Sequence, residues 1–182
     1  MNRDDCVLYS GAAGGAEAAF GSAAEKWGIE EVNFTFEGHP DARSRGIRVL
    51  THRELAQGDV SLAYVSRLMN REYKDTRLFK SVLQTIWHQV NNAQEVYVVG
   101  HVLENQTVKG GTGWGAEFTK ICNKPLFVFD QPKKAWFVWD GSEFEDTDDP
   151  VIGHTDFCGT GTRHLDDNGA AAIDALFART FG

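Results

Sequence analysis

The 182-residue sequence contains no apolar run of the roughly 18 residues that a membrane-spanning helix requires, so no membrane partner is expected. Cysteine is scarce. Cys6, Cys122 and Cys158 form an odd set without C-x-x-C spacing. A disulfide framework and a cysteine-held zinc site are therefore not expected, and a reducing, cytoplasmic location is. Positive charge is also in deficit, with a net charge of −8. Proteins that hold long nucleic acids draw most of their affinity from a basic face, so no extended DNA or RNA partner is expected. The opening segment, Met1-Asn2-Arg3-Asp4-Asp5, lacks the basic-then-apolar pattern of a secretory signal. No H-E-x-x-H motif points to a metal, and no G-x-S-x-G elbow points to a hydrolase nucleophile. No cofactor is expected. Repeats and low-complexity tracts are missing too.

What remains is ordinary for a globular chain: 42 % apolar and 24 % charged residues, in a length that suits one domain over 1–182. Residues 6–10 form a short apolar run, Gly11 to Gly15 a glycine-rich turn, and Ala16 to Trp27 an alanine-rich helix ended by Gly28. Residues 32–36 alternate as a second strand. This strand–helix–strand order predicts a parallel pairing. Arg48 to Thr51 suggests a short strand, and Thr51-x-x-Glu54 a capping box. Helices are expected over 59–71 and 76–92, the latter on the spacing of Leu78, Phe79, Val82, Leu83, Ile86 and Val90. Val96 to Gly100 is a nearly unbroken apolar run that suits a strand covered on both faces. A helix over 114–122, strands over 126–130 and 135–140, and a helix over 168–179 capped by Asn168 complete the pattern. The fold class this implies is α/β: a Rossmann-like open, mostly parallel sheet with helices on both faces. Ligands of such sheets sit beyond the carboxyl ends of the strands.

The sharpest motif is Lys109-Gly110-Gly111-Thr112-Gly113-Trp114-Gly115-Ala116-Glu117. Glycines let an anion approach main-chain amides, and the following helix offers unpaired N–H groups at its positive end. Thr112 adds a hydroxyl and Lys109 a charge. No G-K-[ST] follows, so this is not a Walker A loop. Ser10-Gly11-Ala12-Ala13-Gly14-Gly15 repeats the strand–glycine–helix layout; it walls a ligand crevice or serves strand–helix packing. Gly159-Thr160-Gly161-Thr162-Arg163 is expected as a third glycine-rich turn. There Arg163 clamps a phosphate or pairs with the acidic loop at 143–149. Asp130, at the end of a strand, meets a ribose hydroxyl or caps the Gln131-Pro132 bend. Trp114, beside the glycine turn, is the first choice for stacking on a base. Trp136 and Trp139 suit sheet packing better.

The segment from Tyr9 to Glu17 resembles the S-G-G-x-x-G-A-D stretch of the SLOG superfamily. Gly110 to Glu117, followed by Lys124-Pro125-Leu126-Phe127-Val128-Phe129-Asp130, is similar to that superfamily's G-G-T-G-W-A segment and following strand. The resemblance implies a Rossmann-like fold and a nucleotide or nucleotide-derived phosphorylated ligand. It also implies a homodimer seam, assigned here to helix 76–92. In the LOG-type branch, the glutamate that falls on Glu117 hydrolyses a nucleoside 5′-monophosphate at its N-glycosidic bond. This chain departs from that branch: Lys109 stands for its proline, Trp114 for a threonine, and Thr85 lies where its arginine is expected. Ligand binding or sensing is therefore the leading expectation. The alternatives are phosphoribohydrolase activity through Glu117 and an interaction module with a vestigial pocket.

Overall fold

The computed structural model describes residues 1–73 and 76–182. Among them, β1 (Val7–Gly11), α1 (Ala16–Trp27), β2 (Glu30–Phe36) and β3 (Ile47–Leu50) build one half of the sheet. Three helices follow: α2 (His52–Leu55), α3 (Asp59–Met69) and α4 (Arg77–Asn92). The other half contains β4 (Glu95–Gly100), α5 (Thr112–Ile121), β5 (Leu126–Asp130), β6 (Ala135–Trp139) and β7 (Phe144–Asp146). The chain finishes with β8 (Asp156–Gly161) and α6 (Asp167–Phe181).

The eight strands form one sheet in the order β3-β2-β1-β8-β4-β5-β6-β7. All neighbours from β3 to β5 pair in parallel; β6 runs antiparallel to both β5 and β7. The expected open α/β sheet is thus observed, with short antiparallel strands on one edge.

Strand alternation divides the core. Val96 and Val98 of β4 and Leu126 and Val128 of β5 face a cluster built on α3, α4 and α5. Their neighbours Tyr97, Val99 and Phe129 face α1 and α6 through Phe20, Ile173 and Phe177. This two-sided burial explains why β4 reads as a continuous apolar run. α1 ends where Gly28 takes a left-handed φ of 73° and its N–H returns to Ala24 O. The Thr51–Glu54 capping box that opens α2 is present in full.

Three expectations are corrected. Gly159-Thr160-Gly161 is not a turn but the end of β8 in the middle of the sheet, with Gly159 and Thr160 buried; the turn starts at Thr162. The cap of α6 is Asp166, whose carboxylate accepts from Gly169 N at 2.7 Å, not Asn168. Helix 76–92 is not a free seam: Leu83, Gln84, Ile86, His88, Gln89 and Val90 are buried among the sheet, α3 and α5. Of the apolar side chains on α4 only Leu78 stands exposed, whereas on α3 Val60, Tyr64 and Leu68 share one exposed face.

Candidate functional site

The carboxyl ends of the parallel strands carry the glycine-rich turns. The turn before α5 is the most open. Gly110 takes a φ of 72°, a left-handed value that side chains disfavour, and the β-carbon positions at Gly110 and Gly111 face open space. Gly113 N and Trp114 N bond back to Gly110 O and Gly111 O at 3.2 and 3.0 Å. The N–H groups of Gly110, Gly111 and Thr112 have no protein partner among the described residues. No side chain caps the helix. Lys109 is exposed and forms no ion pair among the described residues. Arg71, which sequence patterns did not single out, fastens the loop: its guanidinium donates to Val108 O, Gly110 O and Thr107 Oγ1 at 3.0 to 3.1 Å. Turn, dipole and cation therefore face solvent together, held from behind by Arg71.

The other members of that motif point inward. Gly113 is buried where a side chain would overlap the Val108 carbonyl, so its role is close packing, not cradling. Trp114 is 2 % exposed and packs against Tyr73 and Phe79, which withdraws it from stacking on a ligand. Helical phase explains this, because the side chain next to a turn takes whichever face the helix presents. Glu117 lies in the second turn of α5, not its first, and is also buried. Lys120 Nζ stands 2.7 Å from Glu117 Oε1 and 3.8 Å above the Trp139 ring centroid. Burial pushes the Lys120 ammonium down and the Glu117 pairing opposes that shift.

At the β1 turn the space is taken by the chain itself. A β-carbon at Gly11 would overlap the Glu17 carboxylate, so Gly11 serves packing rather than a ligand wall. Glu17 accepts from Ala13 N at 3.2 Å and from Gln89 Nε2 and Thr160 Oγ1 at 3.1 Å each. Burial raises its carboxyl above the ordinary range, and those hydrogen bonds pull the other way. Ser10 is fully buried and donates to Gly159 O at 2.5 Å, tying β1 to β8. Gly14 is half-buried, and a β-carbon there would make only an ordinary contact with Ala42 of the loop that crosses from β2. The positive end of α1 is also occupied, since Ala16 N donates to Thr162 O at 2.9 Å.

Asp130 is fully buried, and both carboxylate oxygens serve the backbone: Oδ2 accepts from Val102 N at 2.8 Å and Oδ1 from Lys133 N at 3.0 Å. It is a turn cap, and the sugar-binding alternative is set aside. Arg163 is exposed beyond β8 and forms no ion pair among the described residues, so the alternative of a bond to the 143–149 loop is not made. Burial pushes the Cys158 thiol up, in keeping with an inert core position.

Two adjoining hollows of about 310 Å³ and 210 Å³ open elsewhere, at the carboxyl ends of β2 and β3 and the start of α4. The larger is polar, with His52, Asp59, Arg77, Lys80 and Ser81 on its wall. The smaller is lined by Phe36, Val49, Leu50 and Leu55, with Glu37 also on its wall. No local motif announces them, because they draw on three separate stretches of chain. The capping box at Thr51 and the basic first turn of helix 76–92 were the available signals.

No family model matches the chain, and no curated protein matches it. Among solved structures, the fold is similar to a crystal structure from Syntrophus aciditrophicus SB described as a "Putative molybdenum carrier protein". The TM-score is 0.58 at 13 % identity, over 99 % of this chain and 96 % of that one. At that identity the likeness speaks for the shared Rossmann-like fold. No helix among the described residues is long and apolar enough to cross a membrane.

Proposed function

We propose that this chain binds a nucleotide or nucleotide-derived phosphorylated small molecule at the start of α5. Its phosphate sits on the amides of Gly110, Gly111 and Thr112 with Lys109 beside it. The observation that carries this is the set of three unpartnered N–H groups at an open, uncapped helix start on the carboxyl edge of the sheet. The SLOG-like sequence of the same segment supports it, and so does the fold. The neighbour's name adds molybdate, a tetrahedral dianion like phosphate, to the ligands worth testing. Hydrolysis through Glu117 is not favoured, because its carboxylate is buried and engaged by Lys120.

Thermal unfolding with adenosine, AMP, ADP-ribose, inorganic phosphate and molybdate tests the proposal. A phosphorylated nucleoside should raise the melting temperature where adenosine does not. Gly111→Asp, which sets a carboxylate in open space at the same amides, should abolish the shift while leaving the protein folded. No shift with any phosphorylated nucleoside, or an undiminished shift in Gly111→Asp, would overturn it.

A further inference from the structure

We propose a second ligand site, separate from the α5 turn, in the paired hollows at the start of α4. It takes a phosphate monoester carried on a small apolar body. The polar hollow sits against the first turn of α4, a helix of 16 residues. Thr76 gives that helix no side-chain cap, and the N–H groups of Arg77, Leu78 and Phe79 have no partner among the described residues. Lys80 N, the next in line, already bonds to Thr76 O at 2.9 Å. The free amides and the positive helix end suit an oxyanion.

Ser81 supplies the independent observation. It is 7 % exposed, it lines both hollows, and its hydroxyl has no hydrogen-bond partner among the described residues. A helical serine usually returns its hydroxyl to the carbonyl four residues back. The Ser81 oxygen is not among the fully enclosed unpaired atoms, so the hydroxyl of this largely buried residue opens into the hollow, where a ligand oxyanion is its natural complement. Arg77 also borders both hollows and forms no ion pair among the described residues, leaving its forked donors for the same oxyanion. Asp59, the acid on this wall, is neutralised: it holds Lys80 Nζ at 3.4 Å and accepts from Gln84 Nε2 at 2.6 Å and from Tyr73 Oη at 3.1 Å.

The second hollow fixes what the phosphate is attached to. Phe36, Val49, Leu50 and Leu55 present apolar surface beside the donors. Its volume of about 210 Å³ matches a small ring or branched chain rather than a large one. Glu37 on the same wall disfavours a second anionic group there. A tetrahedral head bonded by Ser81, Arg77 and the α4 amides, with an apolar body toward Val49, uses both halves at once.

Calorimetric titration with phenyl phosphate, inorganic phosphate and phenol tests this. Phenyl phosphate should bind more tightly than either part alone. Ser81→Ala and Arg77→Ala should each weaken it by about ten-fold or more, the loss expected for one hydrogen bond to a charged group. Ser81→Ala removes no protein hydrogen bond, so its ligand-free melting temperature should not fall, which separates lost binding from lost folding. Gly111→Asp should leave phenyl phosphate binding here unchanged, so failure at either site is told apart from failure at the other. Absence of binding by phenyl phosphate, or equal binding by wild type, Ser81→Ala and Arg77→Ala, would overturn the proposal.

Discussion

The carboxylate of Glu17 fills the space that a side chain at position 11 would need, so Gly11 is a glycine because of an acid six residues later. The two residues form one packing unit beneath the β1 turn, with Gln89 closing it from α4. Gly11→Ala should therefore destabilise the fold by about 1–3 kcal/mol through overpacking, read as a lower denaturant midpoint with an unchanged slope. An unaltered midpoint would show that the Glu17 side chain swings away freely.

Glu17 also predicts a pH dependence. Its carboxyl is raised in the folded state, mainly by burial, relative to an ordinary value of 4.5. The folded protein then binds this proton more tightly than the unfolded chain does. The associated stability is complete below the ordinary value and is lost as pH rises through the raised one. Glu17→Gln removes that loss. Denaturation of both proteins from about pH 4 to about pH 8 should show wild type losing stability relative to the variant as pH rises. A constant difference across the range would mean that Glu17 titrates normally.

The Lys120–Glu117 pair should behave as a structural bridge. Side chains at 10 % and 12 % exposure, 2.7 Å apart, leave a carboxylate unpaired and largely dry when the lysine is removed. Lys120→Met keeps an apolar chain of similar length but removes the ammonium from Glu117, Gln106 O and the Trp139 ring, and should cost about 3 kcal/mol. The double variant with Glu117→Gln should recover much of it, a coupling that a double-mutant cycle measures directly. Glu117→Gln alone should not change nucleotide affinity; a large loss would return Glu117 to the binding site.

Gly111 and Gly113 separate by the same geometry. Alanine at Gly111 meets open space at a φ of −61° and should be neutral or stabilise by about 0.5 kcal/mol through the unfolded chain. Alanine at Gly113 overlaps the Val108 carbonyl and should cost about 2 kcal/mol or more. Equal melting temperatures for the two variants would contradict the packing described for this turn.

Much of the fold is legible in the sequence where local pattern and tertiary need agree. The alanine-rich α1 with its Gly28 stop, the capping box of α2 and the apolar run of β4 are such places. β8 was hidden because its glycines carry a turn signal locally. Their cause is long-range: Gly159 lies against the Phe20 ring, and Gly161 against Ala16 and the backbone of Val99. The α5 turn was visible as a motif, yet the motif did not say which of its residues face out. Gly110 and Gly111 do, while Gly113, Trp114 and Glu117 do not. The α4 hollows had no contiguous signature, since residues 36–37, 49–59 and 77–84 meet only after the sheet has formed.

The position of β8 has a consequence for biosynthesis. Until residues 156–161 leave the ribosome, β1 and β4 each present an unpaired edge in the middle of what becomes the sheet, and the two halves have no shared ladder. A nascent or truncated chain lacking that segment exposes two apolar templates for pairing with other chains. Joining of the two halves of the sheet is therefore gated by β8, and loss of that segment should yield aggregates rather than a smaller folded unit.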